Sequence, residues 1–252
     1  MLKRIAVAGV DESTRKALAK QVKKQDVQVV EVDAAGPLAG MSDGLLNGNA
    51  PEDAIALALE QADRSEALLN LLAEVVDCRE SFKPGSSQRI VEHATRFAKA
   101  VKLDENDRLL LERGTLLRDI GKLKIPNDVL LKNGLLTYEE WKLIQDHANI
   151  GADLVKEMPG LADIEPIVRR HHECFDGDGY PDKLEGEDIP KLARMLKIID
   201  VFCAMTSPRS YRKDIASIDD AVEHLTAESG KHFDPDLVKI FLTKKVGKAA
   251  KD

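Results

Sequence analysis

The chain has 252 residues, 43% of them hydrophobic and only 4% aromatic, and a formal net charge of -7. That length can bury the core of one large domain, or of a helical domain with a small companion. The negative balance opposes nonspecific attraction to a polyanion, so no DNA partner is expected and any phosphate site must be local. Cys78, Cys174 and Cys203 are odd in number and lack paired zinc-type spacing, so a disulfide framework is not expected and a reducing, cytoplasmic setting is. No apolar run approaches the roughly 18 residues of a membrane span, and the Met-Leu-Lys-Arg start lacks the apolar core of a secretory signal.

Abundant Leu, Ala, Lys and Glu lose little rotamer freedom in a helix, which predicts a mainly α chain. Its first stretch differs. Residues 3–9 and 27–32 read as short strands around a helix at 12–24, a β-α-β fragment. Residues 34–51, rich in Gly, Ala, Asn and Asp, read as a loop or linker. We therefore expect a small α/β segment with its linker over 1–60 and a helical domain with a leading helix over 61–252.

Helical patterns then follow at 52–81, 88–100, 105–120, 137–158, 164–171, 192–206 and 218–229. Thr137-x-x-Glu140 is a capping box, and Ser217 precedes Asp219 and Asp220 in a first turn. The leucines and valines of 67–76 make an apolar stripe that can pack on its own domain or pair with a second copy of the chain.

The chemistry gathers in the later part. His171-His172-Glu173 stands three residues before a Gly-Asp-Gly-Tyr-Pro turn, and adjacent imidazoles before such a turn favour ligand duty over packing. Asp119 and Lys122 lie three apart and share a face, which places a metal-binding carboxylate beside a phosphate-seeking ammonium. Asp200 stands inside the apolar run 196–202, where an unpaired carboxylate is costly, so it needs a metal, hydrogen-bond donors or a cation such as Arg118. His147, on its own, says little.

Taken in order, Asp119-x-x-Lys122, His147, His171-His172-Glu173, Asp176-Gly177-x-Gly179-Tyr180-Pro181, Asp200 and Arg209-x-Tyr211-Arg212 resemble the HD-GYP domains, bacterial relatives of the HD phosphohydrolases. The resemblance runs from about residue 88 to 241. It implies an all-helical HD-type domain that uses iron or manganese to hydrolyse the phosphodiester bonds of cyclic di-GMP. Carried over by position, Asp119, His147, His171, His172 and Asp200 look like metal ligands. Asp119 and Lys122 look catalytic, and Lys122, Tyr180, Arg209 and Arg212 look like groups that meet the dinucleotide.

Three positions depart from that pattern. Arg118 stands where the family has its metal-ligating histidine, and a guanidinium has no lone pair to give. Ser86 stands where relatives with an extra metal have a histidine, and Cys203 where an aspartate is usual. The resemblance with these losses implies one metal ion instead of two or three, with Arg118 pairing with Asp200 in the vacated position. The expected protein binds a cyclic dinucleotide and hydrolyses it weakly or not at all. The alternatives are an active phosphodiesterase and a protein-interaction module, the latter with a signalling protein as partner.

Overall fold

The computed structural model describes residues 3–8, 27–31, 44–47, 52–80, 86–207 and 216–247. The chain divides into two compact units, Met1–Leu71 with Lys156–Asp163, and Leu72–Val155 with Ile164–Asp252.

In the first unit, β1 (Lys3–Ala8) is the central strand of a parallel sheet, flanked by β2 (Val27–Glu31) and β3 (Gly44–Asn47). Ile5 pairs with Val29 on one side and with Gly44 on the other. Parallel neighbours need a crossover of a dozen or so residues, which fits the α/β reading of this segment. The helix expected at 12–24 lies outside the described residues. One correction concerns 34–51, read as loop throughout: Gly44–Asn47 is a strand. Four residues bounded by Gly and Asn carry almost no strand signal, and pairing with β1 supplies what composition does not.

The rest is helical. α1 (Glu52–Arg79) leads into α2 (Ser86–Val101) and α3 (Glu105–Leu117). A 3-10 turn (Ile120–Lys124) and short α4 (Asn127–Leu130) come next. α5 (Tyr138–Gln145), α6 (His147–Glu157) and α7 (Glu165–Arg170) follow. α8 (Lys191–Thr206), α9 (Ile218–Ala227) and α10 (Pro235–Thr243) complete the series.

The capping box at Thr137 forms as read, its Oγ1 accepting from the Glu140 amide, and Ser217, read only as preceding an acidic first turn, forms a second box, its Oγ accepting from the Asp220 amide. What was read as one helix over 137–158 is broken at Asp146, which caps α5. The break makes His147 the first residue of α6.

The core of the second unit is built on α8. Met195, Leu196, Ile198, Ile199 and Phe202 are buried against Phe97 of α2, Leu111 of α3, Leu225 of α9 and Phe241 of α10. Phe241 meets Phe97 and Phe202 edge to face, at centroid separations of 5.1 and 5.3 Å. Such aromatic pairs add about 1 kcal/mol each beyond their buried area. On α1, Ala73 and Val76 are buried, whereas Leu68, Leu71 and Val75 are about half exposed. Among the described residues, no helix is long and apolar enough to cross a membrane.

Candidate metal centre

Asp119 follows α3 and opens the 3-10 turn, so its carboxylate stands where the helix ends. The turn then passes against the start of α6 at Gly121. A methyl group on Gly121 would lie 2.0 Å from the His147 carbonyl oxygen and 2.5 Å from the Gly151 nitrogen. Only glycine permits that approach, and the approach sets Asp119 beside His147.

Four side chains converge there. Asp119, His147, His171 and His172 each offer one ligand atom, all within 4.8 Å of one another. His147 Nε2 lies 3.4 Å from His171 Nε2, 3.2 Å from His172 Nε2 and 3.5 Å from Asp119 Oδ1. His147 Nδ1 lies 2.6 Å from the Ile144 carbonyl oxygen, and His171 Nδ1 lies 2.7 Å from that of Val168. A carbonyl oxygen only accepts, so in both rings Nδ1 carries the proton and Nε2 presents its lone pair. Lone pairs facing one another at these distances repel unless a cation lies between them. The donor set thus fits a metal ion of imidazole and carboxylate preference.

The electrostatics agree. Burial, reinforced by the neighbouring imidazole, pushes the His171 pKa down to about 3, and burial likewise lowers His147 and His172. The three imidazoles are therefore held neutral. Burial opposes charge on Asp119, but Lys122 and Arg118 outweigh it and keep the carboxyl well below its ordinary range.

The cations have definite places. Arg118 is buried; its Nε donates to Asp200 Oδ1 at 2.9 Å, and its Nη2 lies 3.1 Å from Asp119 Oδ2. Lys122 Nζ bridges Asp119 Oδ1 at 2.9 Å and Glu80 Oε1 at 2.8 Å. Glu80, at the end of α1, was missed in the sequence; it lies 42 positions from its partner and carries no local signal. Asp119 and Asp200 thus share Arg118, and Asp119 and Glu80 share Lys122, while burial raises the Glu80 pKa.

Asp200 is joined to the cluster through Arg118 and stands apart from the four converging groups. Arg209, Tyr211 and Arg212 lie outside the described residues. Ser86 opens α2, its Oγ accepting from Arg89 Nη2, and Cys203 is buried on α8.

Tyr180 stacks on His172, with centroids 4.7 Å apart and ring planes 22° from parallel. The loop that carries it is held from below. Buried Glu173 accepts from the Asp182 and Leu184 amides at 2.7 and 3.2 Å. A methyl group on Gly179 would fall 2.2 Å from the Cys174 nitrogen. Lys197 donates to the His172 carbonyl at 3.0 Å. Glu173 was quoted only as part of a motif, and its buried structural task emerges from the fold alone.

An all-helical domain that gathers one carboxylate and three imidazoles between its helices belongs to the HD class of metal-binding domains. The family model described as HD domain matches residues 70–237, and the chain belongs to this family, in its HD-GYP branch. It is 34% identical over 190 residues to a 3'3'-cGAMP-specific phosphodiesterase of Vibrio cholerae, covering 75% of this chain and 36% of that protein. It is 35% identical over 198 residues to the cyclic di-GMP phosphodiesterase response regulator RpfG of Xanthomonas campestris, covering 74% of this chain and 52% of that protein. In fold it resembles a cyclic GMP-AMP phosphodiesterase structure from Vibrio cholerae, with a TM-score of 0.55 and 22% identity over 70% of this chain and 47% of the other. The chain spans between about a third and a half of the length of these relatives.

Proposed function

We propose that this chain is a cyclic di-GMP signalling protein of the HD-GYP type, which binds that dinucleotide or a close analogue at a reduced metal site and hydrolyses it weakly or not at all. The observation that carries the reading is Arg118, whose guanidinium joins Asp119 to Asp200 where the family's pattern has a histidine ligand. The names of the relatives, which include phosphodiesterases for cyclic di-GMP and for 3'3'-cGAMP, support the ligand class.

In this reading Asp119, His147, His171 and His172 hold one divalent ion, iron or manganese, and Asp200 is committed to Arg118. A bound divalent ion supplies positive charge to a phosphoryl oxygen and lowers the pKa of water. Arg118 supplies a fixed charge in place of a second ion, but no coordination position, so phosphate binding survives better than activation of a nucleophile. Lys122 balances Asp119 and Glu80 at the mouth of the site, and Arg209 and Arg212 meet the phosphates. Tyr180 forms a wall. Residues 1–60 form an input segment and 61–252 the effector domain, working in the cytoplasm. The exposed Leu68, Leu71 and Val75 of α1 support a homodimer through that helix, and a signalling protein would read its state.

The converging imidazoles and the Gly179-Tyr180-Pro181 loop also support a second reading, an active phosphodiesterase with a rearranged centre. The two are separated by counting metal per chain in protein purified without oxygen, and by assaying cyclic di-GMP hydrolysis on the same sample with iron or manganese. About one ion and negligible turnover support the binding protein. Two ions with steady product formation support the enzyme, and neither metal nor nucleotide binding leaves an interaction module.

A further inference from the structure

A cavity of about 680 Å³ opens between α5, the start of α6 and the loop of Tyr180 and Pro181. Small-molecule sites fall in the range of roughly 300–1,000 Å³, so this one is large enough for a nucleobase with its ribose. Lys142, Leu143, Asp146, Asn149, Tyr180 and Lys183 are part of its wall.

The cavity adjoins the metal centre at two points. Tyr180 lines it and also stacks on His172 at 4.7 Å, so one aromatic ring separates cavity from imidazoles. Asp146 lines it and immediately precedes His147 in the chain. Asn149 Nδ2 donates to Asp146 Oδ1 at 2.9 Å, which fixes the carboxylate while leaving it acceptor capacity on both oxygens.

We propose that this cavity receives a guanine base of the bound cyclic dinucleotide, with Tyr180 as its aromatic wall and Asp146 as the acceptor for the guanine N1–H and N2–H groups. The inference rests on the cyclic dinucleotide reading above and adds its base preference. A base lies one ribose from its phosphate, as the cavity lies one aromatic ring from the imidazoles of the metal centre. Guanine presents two adjacent donors to a carboxylate. Adenine presents a bare N1 there, whose lone pair a carboxylate repels. Lys142 and Lys183 supply donors for O6 and N7, the acceptors that lysine reads on guanine elsewhere. Stacking on an aromatic wall adds affinity without choosing between purines, so the choice falls to Asp146.

The test is titration calorimetry on the full chain loaded with manganese, using cyclic di-GMP, cyclic di-AMP and the base-free diester dimethyl phosphate, which has no aromatic ring. Asp146→Asn keeps the shape and removes the charge, and Leu143→Trp narrows the cavity from its apolar side. Asp146→Asn should weaken cyclic di-GMP by about tenfold or more and shrink its advantage over cyclic di-AMP. Leu143→Trp should weaken both dinucleotides, and neither change should affect the base-free diester. If the unaltered chain binds cyclic di-GMP and both variants bind it equally well, the base lies elsewhere and only this inference falls. If the unaltered chain binds no cyclic dinucleotide, the proposed function falls and takes the inference with it.

Discussion

Arg118 Nε donates to Asp200 Oδ1 at 2.9 Å across 82 residues of sequence, and the same guanidinium reaches Asp119 Oδ2 at 3.1 Å. Burial alone would lower the arginine pKa, but the two carboxylates raise it instead, so the cation is permanent. Arg118→Met should leave both carboxylates short of a partner and cost roughly 3 kcal/mol, as removal of one member of a buried pair does. Chemical denaturation of the metal-free protein reads this cost. Added manganese should restore more stability to the variant than to the parent.

Arg118→His replaces the fixed cation by a lone-pair donor beside Asp119 and Asp200. The variant is expected to bind an additional metal ion per chain and to gain at least about tenfold in cyclic di-GMP hydrolysis, about 1.4 kcal/mol of barrier. Metal analysis and product chromatography on one preparation check both. Unchanged metal content and rate would count against a disabled catalytic centre.

Gly121→Ala tests the contact that brings Asp119 to His147. The added methyl meets backbone on both sides, so neither neighbour can rotate out of the way. A loss of about 2 kcal/mol is expected, in the range for overpacking, together with weaker metal retention. A surface Leu135→Ala control, at a side chain 95% exposed, should retain metal fully.

Glu173→Ala removes the acceptor for the Asp182 and Leu184 amides and should cost about 2 kcal/mol. Tyr180 then loses its fixed place over His172. Faster proteolysis within 176–184 than in the parent would report the released loop.

The thiols give a simple chemical map. Cys78 is exposed, whereas Cys174 and Cys203 are buried. Burial raises both, Cys203 to about 12, and the thiolate is the reactive form. A thiol reagent at neutral pH should label Cys78 quickly and the other two only after unfolding.

His93 packs edge-on against Phe202, and burial, then Arg96, lowers its pKa from 6.5. Below pH 6.5 the unfolded chain takes this proton and the folded chain does not, so stability rises with pH through that window and falls as acid is added. His93→Phe should flatten that part of the stability profile.

How much of this could be read from sequence depends on the range of the interaction. Thr137 and Ser217 announce their helices because a cap is completed within one turn. The break at Asp146 was invisible, since helical periodicity continues through Leu143, Ile144 and Ala148 on either side. Asp234 before Pro235 was a readable helix start for α10, but the helical patterns read from the sequence stop at 229. Asp119, His147, His171 and His172 were named from types and order, while their convergence depends on Gly121 meeting the start of α6. Glu80 could not be found, because nothing local distinguishes it from other surface glutamates before Lys122 is placed.

The last turn of α1 holds Lys122 twice. Arg79 donates to the carbonyls of Lys122, Leu123 and Ile125, and Glu80 binds the Lys122 ammonium. Backbone and side chain of one residue are tied to Arg79, the last residue of α1, and to Glu80, which follows it. A twist or slide of that helix end therefore cannot occur without displacing the lysine beside Asp119. The end of α1 and the carboxylate of Asp119 are thus joined through one lysine, and by linkage whatever binds at Asp119 and shifts Lys122 acts back on that helix end.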